Sequence, residues 1–344
     1  MTGYAWWSDQ DSPFRQARTI TTGGKSEPVT FKPYSAGPQY LYVRSVNAAG
    51  NHSDQYAYHF QPERTAGPDK PGELNADATV DLWAVDPGTG TLRPYPWQRD
   101  GATGGTLGAG VPAAQISFAG STITHRGSWN TEDGYEDLIA LRPSAENPQE
   151  KELWLYKNDG SGRLRSASGM SELDALNPAN RSLWAQADQV LSIASMNDDN
   201  SDGGLNDADD PDLLVRKGGG FYLSFGSRAN PYLDNFSDAI ALGSVDWQNM
   251  TLSVPGDLNG DGLSELWAKD SATGKIHQYT SRVGTDEFGS VSADLTVYAD
   301  AAVRSVSIGN VPAGSYPIPL SNGDFEGDGF AAIVAPRTAP PCMA

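Results

Sequence analysis

Basic residues, cysteine, histidine and long apolar runs are all scarce in this chain. Its 344 residues hold 24 Lys and Arg against 43 Asp and Glu, a formal charge of −19. That acid excess disfavours nucleic acid, where affinity depends on neutralising phosphates, and disfavours anionic membrane surfaces for the same reason. Charged residues nonetheless make up only 19% of the chain while 38% are hydrophobic, so it has the material for a core and is no disordered polyacid. Cys342 is the single cysteine, which excludes an intrachain disulfide and a cysteine-based metal site. No run approaches the roughly 18 apolar residues of a membrane helix, so membrane insertion is not expected. The first ten residues lack the basic and apolar regions of a secretory leader. His52, His59, His125 and His277 have no metal-ligand spacing, and no nucleophile elbow, phosphate loop or dinucleotide fingerprint occurs. An enzyme is therefore not expected.

What the chain has in quantity is turn residues. With 38 Gly and 23 Pro, it reads as short elements separated by many turns, and the expected class is all-β. A repeated unit organises most of it. The clearest copy is Gly256-Asp257-Leu258-Asn259-Gly260-Asp261-Gly262-Leu263-Ser264-Glu265-Leu266-Trp267-Ala268. Related copies run from Glu73, Asn75 and Asp77 into Asp81-Leu82-Trp83-Ala84, and from Asp324, Glu326 and Asp328 into Ala332-Ile333-Val334. Two more carry insertions: Asn130 and Asp133 before Asp137-Leu138-Ile139, and Asp198, Asn200 and Asp202 before Asp212-Leu213-Leu214. The equivalent positions 78, 134, 203, 262 and 329 lie 56 to 69 residues apart, the size of a propeller blade. After the first four loops, second strands are expected at residues 91–96, 152–157, 220–225 and 275–280. Leading strands are expected before four loops, at 115–119, 190–194, 251–254 and 304–308.

In the unit at Asp257, oxygen-bearing side chains stand at positions 1, 3, 5 and 9, Asp257, Asn259, Asp261 and Glu265, with Gly262 allowing a sharp turn. Such a loop wraps a hard cation. Calcium takes six to eight oxygens, and the backbone carbonyl of Leu263 would supply one of them. Leu266-Trp267-Ala268 followed by a hairpin turn argues against the helix an EF-hand needs. The other copies depart from this pattern. Asp324, Glu326 and Asp328 have Ala332 in the distal position. Glu73, Asn75, Asp77 and Asp81 have Ala78 in place of glycine. Asp198, Asn200 and Asp202 have either Asn206 or Asp212 as distal partner. Asn130, Asp133 and Asp137 follow Ser128 and read better as a metal-free Asx turn. The Asp-rich stretch 197–212 reads as a multi-cation site, an acidic partner surface or a solvated insertion.

The loop-plus-strand unit resembles the FG-GAP or VCBS repeat of calcium-binding β-propellers, found in integrin α-subunit heads and many secreted bacterial proteins. The resemblance implies a β-propeller of about five blades over residues 73–344, with one structural calcium per intact loop. It also implies an extracellular protein, secreted or at the cell surface and part of a larger assembly, that acts as a binding or adhesion module. A carbohydrate ligand is the first expectation, a protein-docking role the second, and a polysaccharide hydrolase or lyase the third. Trp83 and Trp267 recur at one strand position and are expected in the core, as are Trp184 and Trp247; Trp97, Trp129 and Trp154 are candidates for stacking on sugar rings. Residues 1–65 lack the repeat. Strands at 39–46 and 56–60 joined by a Gly-Asn turn resemble the last two strands of a fibronectin type III or bacterial Ig-like module, and 66–72 form a linker.

Overall fold

The computed structural model describes residues 2–8, 18–21, 28, 30, 33, 35–63, 69–99, 105–108, 110–129, 133–165, 169–174, 177–205, 209–227, 235–243, 247–286, 288–299 and 307–310. It is all-β, built from small antiparallel sheets. Strands β1 (Gly3–Ser8), β2 (Arg18–Thr21), β3 (Gln39–Val46) and β4 (Tyr56–Phe60) form one sheet in the order β2-β1-β3-β4. The two strands expected from the sequence are thus the outer half of a four-stranded sheet. In their turn the Asn47 side chain accepts the N–H groups of Ala49 and Asn51, an Asx turn.

The repeat region follows. β5 (Leu82–Val85) pairs with β6 (Leu92–Tyr95), and β7 (Trp97–Arg99) with β8 (Gly105–Leu107). Next comes a four-stranded meander of β9 (Thr122–Thr124), β10 (Leu138–Pro143), β11 (Lys151–Tyr156) and β12 (Met170–Glu172). After helix α1 (Pro178–Ala185), strands β13 (Gln189–Ile193), β14 (Asp212–Lys217) and β15 (Gly220–Ser224) form the next sheet. The two-residue pair β16 (Gly226–Ser227) and β17 (Asn235–Phe236) intervenes before its last strand, β18 (Ile240–Gly243). The third such sheet is β19 (Met250–Gly256), β20 (Glu265–Asp270) and β21 (Lys275–Tyr279). A hairpin of β22 (Val283–Thr285) and β23 (Val291–Ala293) and helix α2 (Thr296–Ala299) lead to its outer strand β24 (Ser307–Asn310). No helix among the described residues is long and apolar enough to cross a membrane.

The apolar run after each loop is explained by burial on both faces. Leu138 and Ala140 of β10 enter one core cluster with Trp83, Leu92 and Tyr156, whereas Ile139 and Leu141 enter the next with Leu213 and Val215 of β14. Leu214 points the other way, into a third cluster with Leu252, Leu266 and Ala268. The sheets of β10 and β14 are therefore covered on both faces, so Leu138–Leu141 and Leu213–Val215 are apolar throughout instead of alternating. A fully buried Leu or Ile contributes about 1.5–3 kcal/mol, which makes these inter-sheet seams the main source of stability. Trp83, Trp184, Trp247 and Trp267 are all buried, as expected, and Trp129 is buried with them.

Two expected leading strands are corrected by the structure. The one expected at 115–119 is not a strand: residues 113–118 run as irregular chain beside the β5–β6 hairpin, with Ala113 N–H on Leu92 O at 2.8 Å and Phe118 N–H on Gly90 O at 2.7 Å, and the strand leading into β10 is β9. Strand β24 pairs with β21 as the outermost strand of the preceding sheet. Alternation does not decide which neighbour takes a segment. The innermost strands β9, β13 and β19 lie side by side and are joined by side chains. The Gln189 amide donates to Leu252 O at 2.7 Å and accepts Leu252 N–H at 3.1 Å. Thr124 accepts Ser192 N–H at 2.8 Å, and Arg126 donates to Val254 O at 2.9 Å.

Helix α1 was not anticipated. Asn177 caps it by accepting from Ala179 and Asn180, Pro178 occupies its first turn, and Leu183 and Trp184 bury its inner side in the second cluster.

Candidate functional site

In the 257–265 loop the backbone is wound around its own side chains. Asp257 accepts the N–H groups of Asn259, Gly260 and Gly262 at 3.1, 2.7 and 2.9 Å. Asn259 accepts Asp261 N–H at 2.9 Å, and Asp261 accepts Leu263 N–H at 3.0 Å. Gly260 and Gly262 have φ of +80° and +89°, the left-handed region that penalises a Cβ. A Cβ on Gly262 would also lie 2.8 Å from Leu205 O, so the Asp-rich stretch packs directly against this loop. Leu263 is fully buried beneath it.

Glu265, buried at the start of β20, closes the turn. One carboxylate oxygen accepts Leu258 N–H at 2.6 Å. The Asn259 amide nitrogen lies between two acids, donating to Asp261 at 3.1 Å and to the other oxygen of Glu265 at 3.0 Å. Burial, reinforced by the charges of Asp261 and Asp257, pushes the Glu265 carboxyl up to about 7. The site therefore gathers negative charge and holds it with amide dipoles. Turning the Asn259 amide over would present an oxygen beside the carboxylates, completing an all-oxygen donor set that fits a hard cation of the calcium type. Among the described residues no group of three or more His, Cys, Asp and Glu already stands in metal-holding geometry.

The 73–81 loop repeats four of these bonds at the equivalent positions. Leu74 N–H goes to Asp81 at 3.1 Å, Asp77 N–H to Asn75 at 3.1 Å, Ala78 N–H to Glu73 at 2.5 Å and Thr79 N–H to Asp77 at 2.9 Å. Burial drives the Asp81 carboxyl well above its usual range, with Asp77 adding to the shift, and burial raises Glu73 as well. Ala76 and Ala78 take φ of +61° and +67° where the other loop has glycines. An L-residue pays roughly 1 kcal/mol there. Ala78→Gly is accordingly expected to stabilise the protein by about 1 kcal/mol, read as a higher denaturant midpoint at unchanged slope. A lower midpoint would show that the loop does not hold this conformation.

Half of the network appears in the 198–204 loop. Asp198 accepts Asp202 N–H at 3.1 Å and Gly203 N–H at 2.9 Å, Asn200 accepts Asp202 N–H at 2.8 Å, and Asp202 accepts Gly204 N–H at 3.1 Å. Ser201 and Gly203 supply the left-handed positions at +60° and +94°. Asp212 is engaged elsewhere, accepting Met196 N–H at 2.6 Å and Gly226 N–H at 2.7 Å. The alternative distal residue Asn206 lies outside the described residues, as do Asn130, Asp324, Glu326 and Asp328. At the copy before β10, Asp133 meets a guanidinium instead, Arg165 Nη2 at 2.6 Å. A side chain supplies the positive charge in that copy.

Sequence reasoning missed a second job for the acid before each apolar run. Asp81, Asp137 and Asp212 each accept one N–H from the chain ahead of the strand, Leu74, Trp129 and Met196 respectively, and a second from beyond the following hairpin: Trp97 at 2.8 Å, Asn158 at 3.0 Å and Gly226 at 2.7 Å. The acid clips three chain segments together. The signal was present, an Asp placed next to a fully apolar strand, where an unsatisfied carboxylate would be costly. Also missed was the exposed aromatic surface. Trp97 and Trp154 are half-buried and Trp129 is core, whereas Tyr40, Tyr56 and Tyr58 on β3 and β4 are 39%, 71% and 57% exposed. No protein-family model matches the chain, and no curated protein matches it at a significant level.

Proposed function

We propose that the chain is a calcium-stabilised β-propeller that acts outside the cell as a carbohydrate-binding module of a larger secreted assembly. The observation carrying the calcium reading is the set of four equivalent hydrogen bonds shared by residues 73–81 and 257–265, each loop being wrapped around clustered carboxylates that burial raises. Calcium would be held by Asp257, Asn259, Asp261 and Glu265 in one loop and by Glu73, Asn75, Asp77 and Asp81 in the other, with Asp198, Asn200 and Asp202 forming part of a third. When bound it would neutralise the clustered acids and lock loop to strand. Support for blades comes from three four-strand meanders packed face to face, whose first strands line one common cavity.

Carbohydrate is favoured by the tyrosines of β3 and β4. Tyr58 stacks with Phe60 at 6.2 Å on one face of the sheet, which also carries Tyr56, and Tyr40 with Tyr42 at 6.1 Å on the other, so the exposed ring faces of Tyr56 and Tyr58 form the candidate surface. Sugar rings stack on such faces while the phenol hydroxyls bond to sugar hydroxyls. On a glycan array in calcium, selective binding is expected, and the Tyr56→Ala/Tyr58→Ala double variant should lose at least tenfold in affinity, about 1.4 kcal/mol. An array silent for the parent chain would sink the carbohydrate reading and favour protein docking.

A further inference from the structure

Among the described residues, the first sheet of the repeat region lacks the strand that opens each of the others. In the later sheets β9, β13 and β19 pair with the apolar strands β10, β14 and β20, whereas β5 pairs with β6 alone. A first strand is begun there and abandoned. Asp81 N–H bonds Gly72 O at 2.7 Å, at the place where Glu265 pairs with Gly256. Further back, where Ser253 pairs with Trp267, Asp69 gives its N–H to Gly134 O at 2.8 Å instead, and Glu73 N–H closes a turn on Lys70 O at 2.9 Å.

The abandoned side of β5 is a free strand edge. Asp86 N–H bonds Thr91 O at 2.9 Å, and bonding alternates along an antiparallel pair, so Leu82 and Ala84 bond across to β6 while Trp83 and Val85 turn their N–H and C=O groups the other way. Pro94, opposite Trp83, has no N–H to offer in any case. No described residue bonds those outward groups of Trp83 and Val85. They border a cavity of about 630 Å³ that runs between β5, β9, β13 and β19. Leu82, Trp83, Ala84 and Val85 line it one after another, so the edge of the strand faces the space, not one of its sides. Backbone groups left unpaired at such a place cost about as much as a lost hydrogen bond.

We propose that this cavity binds an extended peptide segment of a partner protein, which adds to β5 as the missing first strand. The size fits. A packed strand residue fills roughly 160 Å³, from a rise of about 3.3 Å, about 4.8 Å between strands and about 10 Å between sheets, so the cavity takes about four residues, the length of β5. Only an extended backbone presents donors and acceptors at the two-residue repeat of Trp83 and Val85. The strands that hold this place in the other sheets, Thr122–Thr124, Gln189–Ile193 and Met250–Gly256, set the chemistry of the segment: uncharged, with aliphatic residues among Thr, Ser and Gln. Val85 and Ile123, half-buried on the lining, give its aliphatic side chains a contact surface. The added strand continues the row in which β9, β13 and β19 already lie side by side. It does not depend on what the loops or the tyrosine surface bind.

The probe is a fluorescein-labelled peptide copying residues 189–194, the β13 segment, titrated by anisotropy into the full chain in calcium. One saturable site is expected, and hydrogen exchange of the Trp83 and Val85 amides should slow at least tenfold at saturation. The same peptide N-methylated at its three central amides keeps its apolar surface but loses ladder donors, and should bind at least tenfold more weakly. Val85→Pro removes an outward donor and spares the bonds to β6, as proline does on an edge, and should also weaken the peptide at least tenfold. Equal binding of the methylated peptide would make the site a mere apolar pocket and overturn the proposal. So would undiminished binding in folded Val85→Pro, or binding lost in the Tyr56→Ala/Tyr58→Ala variant, which would place the peptide on β4. A parent chain that binds no peptide, its Trp83 and Val85 amides already protected when free, would assign the edge to the chain itself and refute a partner.

Discussion

Excess chelator is expected to lower the melting temperature by on the order of 10 °C, and added calcium to restore it. A site held at a hundred times its dissociation constant stabilises the folded state by about 2.7 kcal/mol, so two such loops contribute about 5 kcal/mol. A domain of this size shifts by roughly 2 °C per kcal/mol, which gives the figure stated. The effect is large because the acids are already together without the metal. Asp261 and Glu265 share one Asn259 amide, and Asp261 and Asp257 both raise the Glu265 carboxyl, so repulsion is stored in the loop before any cation arrives. Asp257→Ala tells metal binding apart from simple loop damage. The substitution removes the acceptor for three N–H groups and so destabilises the chelated protein too, but it should also halve the chelator's effect, leaving only the 73–81 loop to respond. A melting temperature indifferent to chelator in the parent chain would refute the calcium reading outright. A chelator effect undiminished in Asp257→Ala would move the metal to another loop.

Much of this geometry was legible because it is local. The left-handed turns at Gly260 and Gly262, the oxygens at positions 1, 3, 5 and 9, and the apolar strand that follows all lie within thirteen residues, and each can be read from side-chain chemistry alone. Even the double-sided burial of Leu138 to Leu141 was implicit in a run with no polar alternation. What escaped reading depends on partners far away in the chain. Residues 115–119 alternate like a strand, yet in the packed structure they run as irregular chain beside the β5–β6 hairpin, and β24 joins the outer edge of the preceding sheet. The sequence of β1 does not announce that it will pair with β3, some forty residues later. The division of the aromatics failed for a related reason. Of the tryptophans near the loops, Trp129 is drawn into an inter-sheet seam and Trp97 and Trp154 are half-buried, while the tyrosines of β4 stand on a strand whose side chains are nearly all exposed. Arg165 is the plainest case: nothing near Asp133 in sequence indicates that a guanidinium 32 positions on will reach it.

The buried acids also make stability depend on pH, and Asp137 isolates the effect because its loop is served by Arg165. Burial, chiefly, raises its carboxyl from 3.8 to about 7, with Asp133 adding to the shift against the bonds from Asn158 and Trp129. A raised pKa in the folded state means that folding favours the protonated form. The resulting stabilisation is complete below about pH 4, where the unfolded chain is protonated as well, and is lost as the pH climbs through 7. A shift of roughly three units corresponds to about 4 kcal/mol across that window. Other carboxylates titrate in the same range, so the quantity to measure is the difference between the parent chain and Asp137→Asn, whose side chain stays neutral throughout. The asparagine pays a fixed penalty, since it keeps one acceptor oxygen and turns an N–H₂ toward a backbone donor, and that penalty does not vary with pH. In saturating calcium, which holds the metal loops constant, the variant should therefore gain on the parent by about 4 kcal/mol between pH 4 and pH 8, followed by denaturant midpoints at each pH. Parallel pH profiles would mean that Asp137 titrates as an ordinary surface acid, and that the clip joining its loop, its strand and the hairpin beyond is open to water.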